Sequence, residues 1–95
     1  MANSVRAHVI VSGLVQGVAF RESTKAQALA KGVTGWVRNR LDGQVEAVFE
    51  GRDSAVQSLL QYVSAGPNNA KVTDIALKFD EPTAEFGTFL ILRSA

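Results

Sequence analysis

The chain has 95 residues, enough for one domain with a single core and little surplus stability. Its composition, 46% hydrophobic and 20% charged, is that of an ordinary globular protein, and a net charge of +1 gives no bulk attraction to nucleic acid or anionic membrane. With no cysteine, a disulfide framework, a thiolate nucleophile and a thiolate zinc site are all excluded. No segment reaches the apolar length of a bilayer span, and Met1 to Arg6 lack a leader-like pattern. A cytoplasmic location is the expectation.

In chain order, Arg6 to Ser12 is rich in Val and Ile and predicts a first strand buried on both faces. A glycine-bearing loop follows, and a helix is predicted from about Arg21 to Gly32. Its apolar positions Ala26, Leu29, Ala30 and Val33 repeat at helical spacing and mark the face laid on the sheet. Thr34 to Leu41 reads as a second strand. Asp42-Gly43 then reads as a two-residue hairpin turn, and Gln44 to Glu50 as the returning third strand. Asp53 or a neighbour is expected to cap a second helix with a Val56, Leu59, Leu60, Val63 stripe, stopped by Gly66-Pro67. Val72 to Asp80 predicts strand four, and Phe86 to Arg93 a last strand. The order is β-α-β-β-α-β with one added strand, which is the ferredoxin-like α+β sandwich: an antiparallel sheet with both helices on one face. Residues 1–95 form a single domain on this reading.

The most informative stretch is Gly13-Leu14-Val15-Gln16-Gly17-Val18-Ala19-Phe20-Arg21. A strand feeds a glycine-bearing loop, and the loop delivers an arginine to the first turn of a helix. Backbone N–H groups at such a turn point outward unpaired and, with the helix dipole, favour an anion. An arginine there is poorly chosen for helix stability but adds a planar fork that matches phosphate oxygens. The physics alone points to a compact site for a small phosphate-bearing ligand.

The spelling Val15-Gln16-Gly17-Val18-x-Phe20-Arg21 resembles the signature of the acylphosphatase family, small enzymes that hydrolyse carboxyl–phosphate anhydrides. The resemblance continues through Gly32-Val33-x-Gly35-Trp36-Val37-Arg38-Asn39, Asp42-Gly43-x-Val45-Glu46 and Glu50-Gly51. It ends with Gly66-Pro67-x-x-Ala70-x-Val72 and Phe86-x-x-Phe89. Ala19 departs from the Gly or Phe more often found at a position that varies. The resemblance implies strand order 4-1-3-2 with the last strand beside the second. It also implies a hydrolase acting on acid anhydrides without cofactor or metal. The amides of Val15, Gln16, Gly17, Val18, Ala19 and Phe20, with the Arg21 guanidinium, would hold the phosphate, and Asn39 would orient the attacking water. The partner implied is a small acyl phosphate, with no nucleic acid and no membrane, and the expected state is a monomer. Similar domains occur fused to maturation enzymes that act on carbamoyl phosphate; the single domain here favours the free-standing enzyme.

The remaining chemistry-bearing residues have plainer readings. Asn39 would pass for a polar strand-end residue without the resemblance, since alternation shows only that it faces away from Arg38 and Arg40. Those two arginines read as a solvated strand surface, and Trp36 and Phe20 as core. One histidine, His8, makes no metal site and reads as structural. Glu46, Glu50, Asp53, Asp74, Asp80, Glu81 and Glu85 read as surface, capping and turn charges. Two rival classes are a non-catalytic anion-binding domain and an RNA-binding module of the same topology. The second would need aromatics on the central strands, where strand one has none and strand three only Phe49.

Overall fold

The computed structural model describes residues 4–95; Met1 to Asn3, the start of the segment read as carrying no leader, lie outside the described residues. Seven elements follow one another: β1 (Ser4–Leu14), α1 (Phe20–Lys31), β2 (Thr34–Asn39), β3 (Val45–Arg52), α2 (Asp53–Ala65), β4 (Lys71–Asp80) and β5 (Phe89–Ile91). The strands form one sheet in the order β4-β1-β3-β2-β5, as the family resemblance implies. β1 and β2 each pair antiparallel with the β3 between them, so they run parallel to each other and their carboxyl ends share one end of the sheet. The β2–β5 pair is parallel, which makes the sheet mixed.

One sheet face carries Ala7, Val9 and Val11 of β1, paired with Phe49, Ala47 and Val45 of β3. Both helices lay their apolar stripes on it, closing a core with Val56, Leu59, Leu60 and Val63 of α2 and Phe89 of β5. Burying that apolar surface is the main force ordering the chain. Phe89 is fully buried with its ring 5.9 Å from that of Phe49, which anchors the short last strand.

Several sequence expectations are corrected. β1 is buried on one face only; the strand buried on both is the central β3, because its partners' long side chains cover its outer face. In α1 the buried positions are Phe20, Thr24 and Ala28, whereas Ala26, Leu29 and Ala30 are exposed. Small residues so near one another leave the helical phase ambiguous, and Phe20, one residue ahead of the expected start, sets it. The β2–β3 turn spans three residues, Leu41 to Gly43: the Arg40 N–H bonds the Gln44 carbonyl at 2.8 Å and the Gly43 N–H the Arg40 carbonyl at 3.1 Å. Only Gly43 takes positive φ (93°), and the Asp42 carboxylate instead accepts the Gln44 N–H at 3.1 Å. Asp53 occupies the first turn of α2 rather than capping it; Arg52 holds the cap position without a side-chain bond. The last strand is three residues long, not eight.

The outer face also departs from the solvated surface expected of it. Trp36 is half-buried there under the Arg38 guanidinium, 4.9 Å from the ring centre, and is not core. Glu46 is buried between Arg38 (2.8 Å) and His8 (2.6 Å), and Glu50 is buried too. Glu50 accepts the amides of Thr83 (3.1 Å) and Ala84 (2.6 Å), fastening the β4–β5 crossing at the end of the sheet opposite the β1–α1 loop. The His8–Glu46 contact and the two amide bonds to Glu50 join residues more than thirty apart, so no local pattern announces them.

Candidate active site

The site grows from the carboxyl ends of β1 and β2. β1 stops at Leu14, and the chain turns through Val15 to Ala19 before α1 begins at Phe20. Val15 and Phe20 are buried and act as the loop's two anchors, while Gly17 and Ala19 between them are exposed. Gly17 has φ 74°, a conformation that glycine reaches without steric cost. Ala19 takes the same left-handed region (φ 58°, ψ 29°) at the helix cap position, and offers no side chain to cap the helix. For alanine that conformation costs roughly 1–2 kcal/mol. The Ser23 N–H closes the first turn onto the Ala19 carbonyl at 3.0 Å. Among the described residues, none of the amides from Gln16 to Phe20 finds an acceptor in the protein. The helix therefore opens on a row of unpaired donors backed by its own dipole.

Arg21 is half-buried in that first turn. Among the described residues it has no carboxylate within salt-bridge reach, although Arg6, Arg38 and Arg40 each have one. Among the described residues its guanidinium donors have no side-chain hydrogen-bond partner either.

Asn39 ends β2 and pairs across β3 through Val45, which in turn pairs with Val11. Alternation from the buried Val37 puts Asn39 on the helix-covered face of the sheet, away from Arg38 and Arg40. Its Oδ1 is buried and has no hydrogen-bond partner. An orphaned acceptor of this kind costs about 1–3 kcal/mol, so it is an expensive residue to keep for the fold alone. The backbone around it is fixed from the other side. The Ala95 N–H donates to the Asn39 carbonyl at 3.0 Å, and the Leu41 N–H to that of Ala95 at 3.0 Å.

Gln16 joins the two halves. Its Nε2 donates to the carbonyls of Arg40 at 2.8 Å and Gln44 at 2.9 Å, so the loop after β1 is stitched to the mouth of the β2–β3 hairpin, one residue past Asn39. α1 then packs back along β2, which leaves its first turn at the same end of the sheet as Asn39. Sequence reasoning assigned Gln16 only a backbone amide and missed the side chain. The one local hint is a long amide side chain in a loop otherwise built of Gly, Val and Ala. Among the described residues no three His, Cys, Asp or Glu side chains are grouped as metal ligands, and no helix is long and apolar enough to cross a membrane.

Comparison with known proteins identifies the family. The acylphosphatase family model matches residues 7–91. An acylphosphatase of Pelotomaculum thermopropionicum is 52% identical over 86 residues, which is 90% of this chain and 94% of that protein. The crystal structure of acylphosphatase from Bacillus subtilis matches with a TM-score of 0.89 at 38% identity, over 93% of this chain and 98% of that one. Full-length HypF, in its phosphate- and nucleotide-bound form, shares the fold: TM-score 0.88 at 20% identity, over 99% of this chain and 13% of that chain. With the family signature matched from the first strand to the last, and relatives of the same length at about half identity, the chain belongs to the acylphosphatase family, the acid-anhydride hydrolases that split acyl phosphates into a carboxylate and phosphate.

Proposed function

We propose that the reaction is divided between two parts of the site: Arg21 and the loop amides of Val15 to Phe20 hold the phosphate, and Asn39 holds the water. The observation that carries this division is that Asn39, whose Oδ1 no protein group satisfies, ends β2 at the same sheet end as the unpaired loop donors. Its side-chain amide orients a water that keeps a lone pair free for phosphorus. The water oxygen attacks in line as the P–O bond to the acyl group breaks. The acyl oxygen departs as a carboxylate, a good leaving group that needs no protonation, and a phosphate oxygen takes the water's proton. Positioning and charge stabilisation supply most of what phosphoryl transfer needs, so a site with neither a base nor a covalent nucleophile is adequate. The acyl group is gripped by nothing in this division, and small acyl phosphates are the substrate class it fits.

Acetyl phosphate hydrolysis with inorganic phosphate as a competitive inhibitor tests the binding half. Arg21→Ala loses both turnover and phosphate inhibition, and Arg21→Lys recovers little, because a point charge cannot reproduce a two-pronged contact. Full activity in Arg21→Lys would remove the geometric argument. Hydrolysis in the presence of a chelator proceeds unchanged on this mechanism; activity abolished by chelation and restored by a divalent ion would contradict it.

A further inference from the structure

Thr24 lies in the middle of the buried stripe of α1, between Phe20 and Ala28, with none of its surface exposed. Its Oγ1 has no hydrogen-bond partner, and the Oδ1 of Asn39 is the other buried side-chain atom in that condition among the described residues. A helical threonine ordinarily turns its hydroxyl onto a carbonyl of the preceding turn. Here the carbonyl four residues back, that of Phe20, already accepts the Ser23 hydroxyl at 3.1 Å. Packing gives no reason for the hydroxyl either, since valine has the same shape and an unsatisfied buried O–H only costs stability.

The two orphaned oxygens belong to one interface. α1 packs back along β2, and the chain reverses where the Val33 N–H meets the Ala28 carbonyl at 2.9 Å. Asn39 lies five strand residues beyond Thr34, about 16 Å, which brings it level with the first turn of α1. Thr24 follows one turn later, about 6 Å along the helix axis. A helical side chain leans toward the N-terminus of its helix, so that of Thr24 leans toward the Asn39 end of β2. No direct bond joins the two groups. An acceptor on one side, and on the other a hydroxyl that both donates and accepts, suit one bridging water.

On the reading that Asn39 orients the attacking water, we propose that Thr24 is its positioning residue: through one buried water, the Thr24 hydroxyl fixes the Asn39 Oδ1 against α1. The Nδ2 end of the amide is then the end left for the attacking water. Because the first turn of the same helix carries Arg21, the water's holder and the phosphate's holder are both set by α1. Asn39 alone, at the last position of a strand, has no such reference.

Acetyl phosphate kinetics and thermal melts of Thr24→Val and Thr24→Ser, each alone and with Asn39→Ala, separate the hydroxyl from packing. Thr24→Val keeps the shape and loses the hydroxyl. It is expected to melt no lower than the wild type, while kcat falls about tenfold or more and the phosphate inhibition constant stays in place. Thr24→Ser keeps the hydroxyl and loses a buried methyl, so it melts lower yet retains most of the wild-type kcat. In the Asn39→Ala background Thr24→Val costs no further rate, because the group that Thr24 holds is gone. Wild-type kcat in Thr24→Val, with Asn39→Ala impaired, overturns the proposal and leaves the role of Asn39 standing. Rates that simply follow the melting temperatures in both Thr24 variants overturn it as well. Unaltered kcat in Asn39→Ala removes instead the reading on which the role of Thr24 depends.

Discussion

Ala19 holds a left-handed conformation that alanine rarely adopts, at the point where the loop becomes a helix. The conformation aims the amides outward, and the strain is tolerated because the buried side chains of Val15 and Phe20 fix both ends of the loop. A glycine at this position gives up the αL penalty of roughly 1–2 kcal/mol and loses somewhat less in unfolded-chain entropy. Ala19→Gly is therefore expected to melt no lower than the wild type. The same change at Ala30, exposed within α1 at an ordinary helical position, is expected to cost about 1 kcal/mol. Thermal melts of both variants check the pair; equal losses would mean that the loop places no demand on backbone conformation. Residue chemistry was the most legible layer of this sequence. Arg21 stood out because it is poorly suited to a first helical turn, whereas Asn39 passed for a strand-end residue until the family resemblance singled it out. Ala19 did not, because alanine is unremarkable in any sequence and its φ is set by the tertiary frame.

At the scale of elements, the loop, the β2–β3 hairpin and α1 act as one body through Gln16. Each N–H of its side-chain amide serves a different carbonyl, and each neutral bond contributes about 0.5–1.5 kcal/mol. Gln16→Ala removes both without touching the loop's backbone donors. The expected outcome is a stability loss of about 1–3 kcal/mol, with turnover falling and KM rising together as the phosphate drifts from the water. Kinetics beside denaturant unfolding check this, and a loss of stability with unaltered kinetics would make Gln16 a fastener of the hairpin alone. The elements and their order could be read from periodicity and from Gly and Pro punctuation. Their facing was less readable. α1 has alanines at 26, 28 and 30, so the small residues fit several helical phases, and only packing against the sheet chose Phe20, Thr24 and Ala28. The hairpin likewise hid its third residue, since Asp-Gly suits a two-residue turn and a three-residue turn ending in glycine equally well.

Across the whole molecule, the two sheet faces do different work. One closes the core beneath the helices; the other is knit by charged side chains around Glu46 and Glu50. Burial pushes the Glu46 carboxyl up, but hydrogen bonds and charge from His8 and Arg38 outweigh it, and the group ends below its ordinary value. A carboxylate depressed in the folded state contributes stability in full above its unfolded value of roughly 4.3, and that contribution is lost as pH falls through the folded value. The stability gap between wild type and Glu46→Gln is thus expected to be widest near neutrality and to shrink on acidification below about pH 4.3. Denaturant unfolding at several pH values measures it; a gap that widens with acid would mean that Glu46 is protonated in the native protein. This face was not read beforehand, because most of its bonds link residues far apart in sequence and its carboxylates look like surface charges until the strands are paired.

The central claim is that binding and water orientation reside on different strand ends, β1 with its loop for the phosphate and β2 for the water. Steady-state kinetics of Asn39→Ala, with phosphate inhibition measured on the same preparation, test it most directly. Loss of one fixed polar group at a reacting centre typically costs about 10²–10³ in rate. Removing an orphaned buried oxygen should leave the fold as stable as before or slightly more so. The account predicts a folded variant whose kcat falls by that factor while the phosphate inhibition constant barely moves. A folded variant with unchanged kcat, or one that loses phosphate affinity in step with kcat, contradicts it.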